Sequence, residues 1–102
     1  GNVYKSEVCF IERLDPWSRA DAVPEETLLR VLATARRLLR ANVRGGRRVT
    51  TGVAAAGRSL WVYGRTGRPC RRCGTAILGR RQGDAARMTY WCPRCQSSAG
   101  LA

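Results

Sequence analysis

A chain of 102 residues has room for one small domain with one modest core, and no apolar run in it approaches bilayer-spanning length. Apolar content of 44% argues against a disordered tail, and no signal-peptide pattern opens the chain. Nineteen basic residues stand against seven acidic ones, a net charge of +12. Eighteen of the nineteen are Arg, whose planar fork suits phosphate oxygens. The imbalance points to a polyanion, nucleic acid above all; a solvated basic face or a coding bias toward Arg would leave the same composition.

The chain opens "GNVYKSEVCFIERL", with Tyr4, Val8 and Ile11 at helical spacing and Val3, Phe10 and Leu14 widening the stripe. Asn2 is a good N-cap, and Asp15-Pro16 is the stop signal. Cys9 falls on the apolar side and reads as a buried small hydrophobe, Glu7 and Glu12 as plain helix residues. A helix starting this abruptly, without an initiator Met, is expected to belong to a longer protein.

A second helix follows a short connector. Pro24 takes its first position, Glu25 and Glu26 its first turn, and Arg36, Arg37 and Arg40 its end, all matching the helix dipole. Leu28, Leu32, Ala35 and Leu39 form its stripe, flanked by Val31 and Leu38, and Gly45-Gly46 ends it. Residues 44–58 have neither helical nor strand period and read as a mobile linker or loop. "SLWVYG" then reads as a short strand.

Cys70-x-x-Cys73 and Cys92-x-x-Cys95, 18 residues apart, have the spacing of a zinc site. Two residues between thiolates make a tight knuckle that turns both sulfurs toward one ion, and Gly74 allows the turn this needs. With no His in the chain, one four-Cys site is the closed option, structural because no position remains for water. Disulfides suit secreted chains, and redox pairs come singly on another scaffold. "TAILG" and "RMTYW" read as the strands of a hairpin with "RRQGDAA" at its tip, the metal replacing a core that so few residues cannot build. The predicted fold is therefore small α+β. A helical part at 1–43 leads through a linker or loop at 44–58 to a zinc-ribbon finger at 59–102.

"GNVYKSEVCF", the long second helix, "VYGRTGRPCRRCGT" and "YWCPRCQ" together resemble the C-terminal half of the formamidopyrimidine-DNA glycosylase/endonuclease VIII family. The "YWCP" ending is more similar to the endonuclease VIII branch. The resemblance implies a helix-two-turn-helix element, here without its first helix, joined to the zinc ribbon. It implies that Asn2 and Tyr63 contact backbone phosphate, the first compatible with N-capping as well. It implies that Arg87, five residues before Cys92, holds phosphates beside the lesion and assists δ-elimination. Arg80 and Arg81 are expected to add non-specific phosphate contacts.

The family's proline nucleophile, its glutamate and its catalytic lysine belong to an N-terminal domain that these residues do not contain, and Lys5 is not that lysine. The resemblance thus implies the DNA-binding part of a glycosylase/AP lyase that removes oxidised bases and nicks by β,δ-elimination. The partner would be damaged double-stranded DNA, the cofactor one structural zinc, and the protein a monomer, away from membranes, in a bacterial-type cytoplasm at the nucleoid. The alternative is a non-enzymatic zinc-ribbon module that binds nucleic acid.

Overall fold

The computed structural model describes residues 2–43, 48–55, 57–83 and 87–96. Helix α1 (Asn2–Ile11) is followed by a 3₁₀ turn (Ala20–Ala22) and helix α2 (Glu25–Ala41). Strands β1 (Leu78–Gln82) and β2 (Arg87–Trp91) then form one antiparallel hairpin. Among the described residues no helix is long and apolar enough to cross a membrane.

The first helix stops at Ile11, ahead of the predicted Asp15-Pro16 signal. Arg13 turns into the left-handed region (φ 57°), while the Leu14 amide reaches back to the Cys9 carbonyl (2.8 Å) and the Arg13 amide to Phe10 (3.1 Å). This is a Schellman ending, with Arg where Gly is commoner. Val3, Ser6, Glu7, Val8, Cys9 and Phe10 are buried, so the covered face of α1 is broader and more polar than its apolar stripe. The second helix begins one residue after Pro24, whose carbonyl accepts the Thr27 and Leu28 amides. It closes at Ala41, where the Asn42 side chain donates to the Leu38 carbonyl (2.8 Å) and accepts the Val49 amide (2.9 Å). The Gly45-Gly46 stop lies outside the described residues.

The face that α2 covers differs from the predicted leucine stripe. Thr27, Thr34 and Leu38 are its buried residues, whereas Leu28, Leu32 and Leu39 stay 37%, 65% and 53% exposed. The reason is Glu12, which accepts the Thr34 hydroxyl (2.6 Å) and pairs with Arg30 (3.6 Å), fixing the threonine side against α1. Glu12 is thus a joint between the helices rather than a plain helix residue.

The predicted strand at "SLWVYG" is absent. Residues 59–64 run as bends and turns, because the amides of Trp61, Val62 and Tyr63 donate to the Glu7 carboxylate rather than to a neighbouring strand. Where described, the 44–58 stretch is irregular, yet Thr50 is buried, its amide on the Ser59 carbonyl (2.8 Å). The core gathers Phe10 from α1 with Val62, Cys70, Ile77 and Cys92, and Trp61 stacks on Phe10 at 5.3 Å. One helix therefore reaches directly into the packing around the cysteines.

Candidate metal centre and nucleic-acid face

The first knuckle is built by short backbone bonds. The Cys70 amide donates to Thr75 (2.7 Å) and the Gly74 amide to Cys70 (2.8 Å), with Gly74 at φ +79° as its role in the turn requires. The Arg72 amide points at the Cys70 sulfur (3.4 Å). In the second knuckle the Cys95 amide points at the Cys92 sulfur (3.4 Å), and the Gln96 amide returns to the Cys92 carbonyl (3.0 Å).

These turns bring all four sulfurs within 4.8 Å of one another, with Cys70–Cys95 at 3.8 Å and Cys73–Cys92 at 3.5 Å. A tetrahedron of sulfurs about 2.3 Å from a zinc ion has edges of about 3.8 Å, so these two pairs already match that ion and the remaining separations need only a small inward shift. Cys70, Cys73, Cys92 and Cys95 form one structural, four-Cys zinc site. Burial pushes the Cys95 thiol up to about 12 and raises Cys92 too, while hydrogen bonds with Thr75 hold Cys73 down to about 6. Because zinc takes thiolates, loading at neutral pH is coupled to proton release.

Two side chains that the sequence does not single out, and Glu7, which is a buried acceptor rather than the plain helix residue expected, brace this centre. Arg72, between the first two ligands, donates to the carbonyls of Phe10 (2.8 Å) and Ile11 (3.2 Å) at the end of α1. Its guanidinium lies 4.3 Å from the Phe10 ring centre and 5.3 Å from that of Trp61. Gln96, 1% exposed, accepts the Cys92 amide (2.8 Å) and donates to the Leu14 carbonyl (3.0 Å). Glu7 holds the 61–63 loop. Arg65 and Arg71 also bond back to the chain, each donating to two backbone carbonyls. A basic composition conceals such roles, because a clasping arginine and a solvated one look alike in sequence.

The hairpin differs from its predicted outline at one strand. β2 is "RMTYW" as expected, but β1 begins at Leu78 and includes Arg80 and Arg81. Those two are ladder residues, opposite Thr89 and Met88, and alternation places them on opposite faces of the hairpin. Cross-strand hydrogen bonding to β2 overrides the loop-like composition of "RRQG". Arg80 lies 5.8 Å from the Trp17 ring centre, and Arg81 is exposed. Arg87 opens β2, exposed and opposite Gln82, so it stands where the strand meets the turn. Residues 84–86 of that turn lie outside the described residues. Tyr63 is half-buried, edge-on to Tyr90 at 4.8 Å. Asn2 opens α1.

A family described as "zinc finger found in FPG and IleRS" matches residues 67–97. Beyond the finger, the chain is 46% identical to a probable endonuclease 8 2 of Streptomyces coelicolor, across 95% of this chain and 35% of that protein. It is 48% identical to the DNA-(apurinic or apyrimidinic site) lyase Nei2 of Mycolicibacterium smegmatis, across 97% and 38%. The fold superposes on Lactococcus lactis Fpg, in complex with abasic-site DNA, with a TM-score of 0.77 and 28% identity, over 96% of this chain and 37% of that one.

Nearly the whole chain matches the C-terminal part of proteins of the formamidopyrimidine-DNA glycosylase/endonuclease VIII family. It spans somewhat over a third of the length of these relatives and corresponds to their C-terminal part. Formamidopyrimidine-DNA glycosylases match at 39–40%, below the endonuclease 8 relatives, which favours the endonuclease VIII branch. The chain's own two helices and its finger thus lie together, with the metal knuckle resting on the end of α1.

Proposed function

We propose that this chain grips damaged double-stranded DNA as part of a base-excision glycosylase/AP lyase. The observation that carries the reading is the placement of Arg87: exposed, at the first residue of a strand whose far end is the ligand Cys92's neighbour Trp91. A zinc-braced hairpin makes a stiff arm, and an arginine beside its turn can neutralise a phosphate flanking an extruded base. The family signature also covers isoleucyl-tRNA synthetase fingers, but similarity across both helices favours the glycosylase context.

In this reading Asn2, Tyr63 and Arg87 contact phosphate, and Arg80 and Arg81 add contacts on either face of the hairpin. The intact protein removes oxidised bases and nicks the strand by β,δ-elimination, Arg87 assisting the second step. It acts as a monomer, at the bacterial-type nucleoid. The 102-residue chain alone is expected to bind DNA and release no base; base release from the purified chain would overturn this division of labour.

Arg87→Ala tests the contact directly. Each phosphate contact contributes a slope of about 0.9 to the dependence of log affinity on log salt. The variant should bind DNA more weakly, with a slope shallower by about that amount in a titration across salt concentrations. An unchanged slope would return Arg87 to the solvated face of the hairpin.

A further inference from the structure

Glu7 lies on α1 and is fully buried. One carboxylate oxygen accepts the Trp61 amide (2.7 Å) and the Thr50 hydroxyl; the other accepts the amides of Val62 (2.8 Å) and Tyr63 (3.0 Å). Three consecutive amides converging on one anion form a concave cradle of donors, the backbone geometry otherwise met around phosphates. Here the anion belongs to the protein, and it fixes the loop's conformation.

Each residue of that loop is tied down differently. Trp61 stacks on Phe10, Val62 is fully buried in the core, and Tyr63 stays half-buried, its ring edge-on to Tyr90 of β2. The direction Tyr63 takes is therefore set by the backbone that Glu7 holds, while the Ser6 hydroxyl beside it accepts the Tyr90 amide (3.3 Å). Adjacent residues of α1 thus clamp the loop and the hairpin to one helix.

We infer that Glu7 is a positioning residue for DNA recognition, holding Tyr63 at a fixed place relative to α1 and the hairpin so that its hydroxyl meets a phosphate in register with Arg87. This rests on the proposed DNA-binding function and on Tyr63 as one of its contacts.

Glu7→Gln is the informative substitution. It keeps the side chain's size but replaces one acceptor oxygen by an NH₂ group, which cannot accept from the loop amides or the Thr50 hydroxyl. DNA affinity is measured on the zinc-loaded chain for Glu7→Gln, Tyr63→Phe, Arg87→Ala and the two doubles that contain Glu7→Gln. A lost hydroxyl–phosphate bond weakens binding by about fivefold. Glu7→Gln should cost at least that much, and Tyr63→Phe should add less than about twofold on top of it, because coupled residues are non-additive. Arg87→Ala should retain its full factor in the same background. A structural defect alone would not select between the two partners.

Full additivity of Glu7→Gln with Tyr63→Phe overturns the inference. So does a silent Tyr63→Phe in the parent chain. A parent chain without DNA affinity overturns the proposed function instead, which keeps the two failures apart. If Glu7→Gln does not fold, Thr50→Val replaces it: it removes one donor from the same carboxylate and should show the same coupling to Tyr63 at smaller amplitude, its absence counting against the inference.

Discussion

Removing zinc is expected to unravel residues 64–96 while residues 25–41 keep part of their helix. Among the described residues, two of the five in the core cluster, Cys70 and Cys92, are metal ligands, and the others are Phe10, Val62 and Ile77. So few apolar side chains cannot offset the ordering of two knuckles and a hairpin. Structural zinc supplies on the order of 10–16 kcal/mol in fingers of this kind, most of which becomes folding free energy. α2 touches the finger little; its links run to α1 through Glu12, and its own hydrogen bonds remain. α1 should respond in between, since Arg72 and Gln96 hold the carbonyls of Phe10, Ile11 and Leu14 from the finger side. Amide exchange before and after chelation, with metal content verified, reads all three segments. Hairpin protection that survives complete zinc loss would contradict the expectation.

Phe10→Ala is expected to be the costliest single truncation in α1. Its ring is fully buried, stacked on Trp61 and covered by the Arg72 guanidinium. Emptying such a site costs about 3–5 kcal/mol, against a total stability of roughly 5–15 kcal/mol for a small domain. Thermal unfolding of the zinc-loaded variant should shift downward by on the order of 15 °C. Leu32→Ala is the internal comparison: Leu32 is 65% exposed, and its truncation should change stability by about 0.5 kcal/mol or less. Similar shifts for the two would mean that the helix does not anchor in the finger.

How much of this was legible in the sequence depended on whether the controlling interaction is local. The zinc ligands were legible because a knuckle is a four-residue object whose chemistry shows in its spacing. β2 and the bounds of α2 were nearly so, since propensity and capping act within a turn or two. The strand expected at 59–64 failed because the amides of Trp61, Val62 and Tyr63 have a partner 54–56 residues away, and nothing about a glutamate in a helix announces that it will be buried. The leucine stripe of α2 failed differently. Periodicity finds an apolar face but does not say what covers it, and here Glu12 draws the threonine side inward. Arg80 and Arg81 were assigned to a tip by composition and belong to a ladder by hydrogen bonding.

Arg65, Arg71 and Arg72 each spend donors on two backbone carbonyls, yet none of them gives up its charge. At long range the field around the molecule counts charges and ignores what their hydrogen atoms touch. These three therefore draw a polyanion inward as strongly as arginines free to grasp it, though their forks are already engaged. Encounter and grip separate: the speed of approach is set by nearly the whole basic complement, and the hold once seated by the few guanidinium groups still open to a new acceptor.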